Sequence, residues 1–273
     1  MNSGGIAILD AHVHIHECFD IANFLDCTWQ NFRAQAESLD AASAFDGVVL
    51  LTESYGVNYF SNLRNVARSE PPVLTRWLVN ETDEPMSLQL ADAAGKQLLV
   101  IAGRQIVTSE RLEILALGLL EEIEDKLPIH EVIERVQAAG ALCVLPWGFG
   151  KWTGNRGRKV RDLIANHPGE NFFLGDNSGR LAIWPAPAEY QMAASSGIGM
   201  LSGTDPLPWP DQVNTAGRFG TLLNRRLDPR SPFADLRRYL FEEQGVTRPF
   251  GALESVLPFL QHQVGMQFKK RAR

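Results

Sequence analysis

The sequence predicts an α/β fold in which parallel strands form a closed or nearly closed barrel wrapped by helices. Three observations lead there. Short apolar runs such as "DGVVLLTES" and "ALCVLPWG" alternate along the chain with amphipathic segments of helical spacing. These runs are apolar throughout, as in parallel strands covered on both faces. Charged residues recur just after them, and a barrel of this kind carries its chemistry at the C-terminal ends of its strands. The pattern amounts to about seven strand–helix units with right-handed crossovers and one β-hairpin excursion. An open doubly wound sheet is the alternative, but no GxGxxG follows the first strand.

In chain order, "IAILDAHVHI" reads as the first strand, and helical spacing runs from about Ile21 to Ala44. "DGVVLLTES" is the second strand and "VLTRWLVNET" a third candidate. "MSLQLADAAGKQLLVIAG" gives two strands around a turn at Ala94-Gly95, and "RLEILALG" another short strand. "LPIHEVIERVQAAG" is the clearest helix: Pro128 fits its first turn, Gly140 its end, and Ile129, Val132, Ile133 and Val136 share a face. "ALCVLPWG", "NFFLGDNSG" and "IGMLSGTDP" are strands, separated by the helices "RKVRDLIANHPG" and "PAEYQMAASSG". The barrel strands are expected to begin near Ile6, Val48, Ala141, Phe172 and Ile198 and to run parallel. "FADLRRYLFEEQG" and "SVLPFLQHQVGMQF" complete a single domain over residues 1–273, as a C-terminal helical region (about 225–273) packed on the outside.

Hydrophobic content of 45% and charged content of 21% are those of a folded globular chain. A formal net charge of −6 argues against nucleic acid as the partner, and the short basic tail "KKRAR" reads as a solvated end. Cys18, Cys27 and Cys143 are odd in number and form no CxxC, so neither a disulfide framework nor a zinc ribbon is expected. A signal peptide and a membrane span are not expected either, and a reducing cytoplasm is the natural compartment.

The chemistry is concentrated in "ILDAHVHIHECFD". His12, His14 and His16 alternate, so on a strand they project to one face, and neutral imidazole is the commonest protein metal ligand. An alternating edge strand with a polar outer face is the other reading. Asp10 fits a carboxylate that orients a ligand imidazole. Later strand ends bring Glu53, then Arg104, Gln105 and Glu113, then Trp147, Lys151 and Trp152, then Asp176, Asn177 and Arg180, and finally Asp205. Arg104, Lys151, Arg156 and Arg180 would together attract an anion. Trp147, Phe149 and Trp152 suit either a pocket wall or core packing. Glu113 needs a partner if buried, and Arg104 or Arg180 would serve. His130, His167 and His262 fall on helices and read as structural or solvent-facing.

"DAHVH", "LTES", "AGRQI", "LCVLPWG" and "LSGTDP" occur in an order that resembles the motifs of the polymerase and histidinol phosphatase (PHP) family, across residues 6–208. That family neighbours the amidohydrolase-like metal-dependent barrels. The resemblance implies a distorted, TIM-like (β/α)7 barrel that binds divalent metals and hydrolyses phosphoesters. His12 and His14 match the family's opening histidine pair and Asp205 its closing aspartate. Elsewhere the chain departs. "TES" replaces a TDH-type motif, Gln105 stands in place of a bridging glutamate, Trp147 in place of a ligand histidine, and Leu207 in place of the last histidine.

The expected site therefore holds one divalent ion (zinc, manganese or iron) on His12, His14 and Asp205. Asp176 or Glu53 would accept a proton, and Arg104, Gln105, Lys151, Arg156, Asn177 and Arg180 would bind a small anionic substrate. The expected activity is phosphoester hydrolysis. A non-catalytic barrel that binds a small anion and an amidohydrolase-like enzyme are the alternatives.

Overall fold

The computed structural model describes residues 5–166, 171–242 and 245–255. The elements run β1 (Ile6–Val13), α1 (Ile21–Ser38), β2 (Phe45–Leu51), α2 (Tyr59–Ala67), β3 (Val73–Leu74), β4 (Trp77–Glu81), β5 (Ser87–Asp92), β6 (Gln97–Ile101), β7 (Gly103–Val107) and β8 (Glu113–Leu117). There follow α3 (Ile129–Ala138), β9 (Leu142–Pro146), α4 (Gly154–Asn166), β10 (Phe172–Gly175), α5 (Ala188–Ser195), a 3₁₀ turn (Pro210–Asn214), β11 (Phe219–Leu223), α6 (Pro232–Phe241) and β12 (Thr247–Gly251).

These strands do not close into a (β/α)7 barrel. They form an eight-stranded mixed sheet, ordered β12-β11-β1-β2-β6-β5-β4-β3, and a four-stranded one, ordered β10-β9-β8-β7. "VVLL" and "CVLP" thus lie in different sheets. The reason is local. A barrel of this type requires parallel neighbours throughout, but β11 runs antiparallel to β1, and β8 is antiparallel to both β7 and β9. Among the described strands, only β1–β2, β2–β6 and β9–β10 pair in parallel. The expected strand near Ile198 is reduced to bridges at Met200 and Gly203, in a stretch interrupted by three glycines, Gly197, Gly199 and Gly203.

Strand parity explains the unbroken apolar runs. Ala7 and Leu9, Val48 and Leu50, and Leu142 and Val144 all point into one core shared by the two sheets. Their alternates, Ile8 and Val49, pack beneath α1, while Cys143 and Leu145 pack beneath α3 and α4. Both faces are buried, so both carry apolar residues.

Several boundaries differ from the sequence reading. The helix expected to reach Ala44 stops at Ser38, followed by Asp40 at φ +55°, a left-handed residue that turns the chain into β2. α4 begins four residues before the predicted Arg158. The strands β7, β11 and β12 were not anticipated, and β12 lies where only helix was expected. Pro128 caps α3 and Gly140, at φ +74°, follows its end. His167, His262, "SVLPFLQHQVGMQF" beyond its first residue and the basic tail lie outside the described residues. No described helix is long and apolar enough to cross a membrane.

The Met200–Asp205 segment is drawn tightly onto β1. Ala11 N donates to Ser202 O (3.1 Å) and Asp205 N to His12 O (2.7 Å). A methyl group on Gly203 would stand 2.2 Å from His12 N, against backbone that has no room to retreat. Gly203→Ala is therefore expected to destabilise the fold by about 1–3 kcal/mol. Thermal or urea unfolding measures it, and an unchanged midpoint would mean that the segment is not held this closely.

A candidate metal centre

The site grows from a buried carboxylate. Asp10 accepts hydrogen bonds from His12 N (3.3 Å), Thr204 N (2.8 Å), Thr204 Oγ1 (2.5 Å) and Gly217 N (2.8 Å). Burial pushes its pKa up to about 6, and these donors, Gly217 N foremost, act against the rise. Asp10 was expected to orient an imidazole. It instead binds backbone and a hydroxyl, and His12 Nδ1 is buried without a hydrogen bond among the described residues. What Asp10 orients is the neighbouring segment, so that Asp205, at φ +53°, turns its carboxylate toward β1.

On the β1 side, the pairing with β2 shifts register between Asp10 and Val13. Val13 packs with Ile8 rather than with Ala11, so strict alternation is lost where the histidines begin. His12 Nε2 lies 3.2 Å from His14 Nε2 and 3.5 Å from Asp205 Oδ1, and His14 Nε2 lies 3.6 Å from the same oxygen. Donors about 2.0–2.2 Å from one tetrahedral ion stand roughly 3.3–3.6 Å apart, so this spacing fits a single divalent cation. One ligand atom from each of the three residues falls within 4.8 Å of the other two.

The electrostatics agree. Burial first, and the neighbouring His12 second, lower the His14 pKa to about 3, so its imidazole is neutral and able to coordinate. Burial alone would raise the Asp205 carboxyl, but His12, His14 and Lys151 hold it below its ordinary value. Two further side chains reach the cluster. Gln105 Oε1 lies 3.1 Å from His12 Nε2. Asn177 Nδ2 donates to Asp205 Oδ2 (3.2 Å) and to Trp147 O (3.1 Å). Gln105 is placed by β7, whose backbone exchanges hydrogen bonds with Glu53. His16 stands apart from the three, with Nε2 at 2.8 Å from Pro206 O and its ring stacked on His14.

The other expected site residues are spent elsewhere. Glu53 Oε1 accepts from Phe60 N (2.7 Å) in the first turn of α2, and its other oxygen lies 3.3 Å from Arg104 Nη1. Arg104 also donates to Val57 O, Leu120 O and the Asn58 side chain, all within a buried clamp. Arg180 forms a paired contact with Asp176 through Nε (3.0 Å) and Nη2 (2.7 Å). Lys151 pairs with Glu113, which therefore has a partner other than the two arginines expected for it. Arg156 is on the exposed side of α4 and donates to Gly150 O. The four cations thus do not share one anion-binding mouth: Arg104, Lys151 and Arg180 each hold a separate carboxylate. Trp147 and Trp152 are core residues, and Nε2 of the exposed His130 contacts Lys159 (3.0 Å). The glycines of "GMLSG", Gly203 among them, were expected to leave room beside Asp205, whereas Thr204, the residue directly before it, was not singled out.

No family model and no curated protein sequence matches this chain. Solved structures do. PsfC from Pseudomonas syringae PB-5123 is similar over 98% of this chain and 99% of its own, at 14% identity and a TM-score of 0.54. The lesion-specific endonuclease PfuEndoQ from Pyrococcus furiosus is similar over 89% of this chain and 57% of its own, at 12% identity and a TM-score of 0.51. At such identities the likeness is one of fold. It nevertheless removes the exclusion of nucleic acid that the net charge of −6 suggested, because an endonuclease is built on a similar fold. Net charge averages over a whole surface, whereas a partner meets one face of it.

Two outcomes follow. Asp10→Asn keeps the shape but turns an amide donor toward groups that already donate, and is expected to lower stability by about 1–3 kcal/mol in urea unfolding. For His14, the unfolded imidazole takes a proton near pH 6.5 that the folded one refuses until about pH 3. Stability is therefore full above pH 6.5 and falls as pH drops below it, by up to about 1.4 kcal/mol per pH unit. His14→Gln should flatten that slope between pH 6.5 and 5 in the metal-free protein, and an unaltered slope would mean that His14 titrates normally.

Proposed function

We propose that this chain is a metal-dependent hydrolase of the phosphoesterase kind, with a PHP-like site reduced to one divalent ion on His12, His14 and Asp205. The carrying observation is the mutual spacing of Nε2, Nε2 and Oδ1, 3.2–3.6 Å, set by elements from opposite ends of the chain. Two imidazoles and a carboxylate suit zinc, manganese or iron. When bound, such an ion supplies Lewis-acid polarisation of a phosphoryl group.

The chain's own residues do the rest. Asn177 fixes the Asp205 carboxylate, and Gln105 sets its amide oxygen 3.1 Å from the His12 ligand nitrogen. This reading assigns a phosphoryl oxygen to Lys151, at the rim of the centre. Glu113 keeps that ammonium in position. Glu53 and Asp176 enter this reading as supports, the first capping α2 and the second anchoring Arg180. A second reading is favoured by Gln105. A neutral amide where the PHP family carries a bridging carboxylate cannot clamp a second ion, which suits a non-catalytic protein that binds an anionic ligand.

Elemental analysis of protein purified without chelators, with a panel of phosphomonoesters and phosphodiesters assayed with manganese, zinc or iron, separates the two. The hydrolase reading expects about one bound ion per chain. It also expects loss of metal and turnover in the His12→Ala/His14→Ala double variant, and a drop of about 10- to 100-fold in metal affinity or turnover for Asn177→Ala. Metal without turnover would favour the binding protein. No ion under any loading condition would defeat both the centre and the hydrolase.

A further inference from the structure

His12 lies in β1, His14 follows its end, and Asp205 closes the segment drawn onto that strand. A fourth side chain arrives from the other sheet. Gln105, in the middle of β7, is 93 residues from His12 in sequence. Its amide oxygen is 3.1 Å from His12 Nε2, nearer than His14 Nε2 at 3.2 Å or Asp205 Oδ1 at 3.5 Å. The position is fixed from both edges of the strand. On one side Gln105 is paired with Leu115 of β8. On the other, Gln105 N donates to Glu53 O (2.9 Å) and Glu53 N to Gly103 O (3.0 Å). β7 comes this close to the end of β2 because residue 103 has no side chain: a methyl group there would stand 2.3 Å from Leu51 O. Side chains alternate along a strand, so Arg104 takes the opposite face, in its clamp with Val57 O, Asn58 and Leu120 O.

We infer that Gln105 is a fourth protein ligand, its amide oxygen joining two imidazoles and one carboxylate around a single six-coordinate ion. This rests on the reading of His12, His14 and Asp205 as a metal centre, and not on turnover. An imidazole that coordinates through Nε2 has no proton there. With His12 coordinating, Gln105 Oε1 therefore faces a nitrogen lone pair at 3.1 Å, acceptor against acceptor, unless it shares the ion. Turned the other way, the amide would present its NH2 and close the centre to a cation. A carboxamide oxygen is neutral, so this set carries the single negative charge of Asp205. A divalent ion bound to it keeps one positive charge, which faces whatever anion enters. Four protein ligands fill the tetrahedral shell that zinc prefers, but leave positions open on an octahedral ion such as manganese. A centre that must also hold water and a phosphoryl oxygen is thus suited to the six-coordinate ion.

The full chain, stripped by a chelator and dialysed, is titrated with manganese(II) by calorimetry, and the water on the bound ion is read by proton relaxation. Gln105 is half-buried. Gln105→Leu and Gln105→Ala both remove the oxygen, the first keeping the bulk, and urea unfolding checks that each variant folds. Manganese affinity is expected to fall at least about tenfold in both. Relaxation per bound ion should rise, because a water takes the vacated position. Gln105→Glu, which keeps an oxygen at the same reach, should bind manganese as tightly as the natural chain or more so. Unchanged or tighter binding in the leucine and alanine variants overturns the inference. Gln105 then only accepts from a His12 N–H, a contact that competes with the ion, and the hydrolase reading stands on three ligands. If affinity falls as expected but the manganese-loaded chain turns over no phosphoester, the ligand stands and the hydrolase reading fails. If the natural chain binds no ion, both fail.

Discussion

The arrangement depends on one buried carboxylate. Asp10 sits in the middle of β1 and takes hydrogen bonds from its own strand, from Thr204 and from Gly217 just before β11. Hydrogen bonds to a charged acceptor contribute more than neutral ones, about 1.5–3 kcal/mol each. They are needed here, since an unpaired carboxylate at zero exposure would be costly. Through these bonds β1 is fastened to two distant stretches of chain, and the end that carries His12 and His14 is left facing Asp205.

Around that core the charges are sorted. Arg104 with Glu53, and Arg180 with Asp176, are buried pairs that hold the loops after β2 and β10. Such pairs fix geometry more than they add stability. Lys151 and Glu113 cancel each other at the rim. With the His14 imidazole neutral, the negative charge at the centre is that of Asp205. Asp205 Oδ1 and His14 Nε2, 3.6 Å apart, turn lone pairs to the same point, which is the polarity that a cation requires.

Much of this was legible in the sequence, for physical reasons. The apolar runs identified β1, β2, β6, β8, β9 and β10 because burial on both faces favours apolar residues throughout, and the alternation of Leu88 and Leu90 identified β5. The histidine pair and the "SGTDP" aspartate marked the centre because few side chains coordinate metals. Closure was not legible. Whether β8 pairs parallel or antiparallel depends on the short turn before it, not on the composition of "EILAL". The register slip after Asp10 was equally hidden, as was the outcome for the cations. An arginine after a strand looks the same whether it faces a substrate or a buried glutamate seven residues from the next helix turn, and only the fold brings Glu53 to Arg104.

Asp10 and Thr204 are separated by 194 residues. Closing a loop of that span costs chain entropy before the contact returns anything, so contacts of this kind slow folding. Neither half of the chain can hold the ion alone, and the unfolded chain offers no comparable set of donors. An ion that binds only the finished molecule adds RT ln(1 + [M]/Kd) to its stability. Metal supply would then govern not only what the centre can do but how long each molecule remains folded, and how much of it a cell retains.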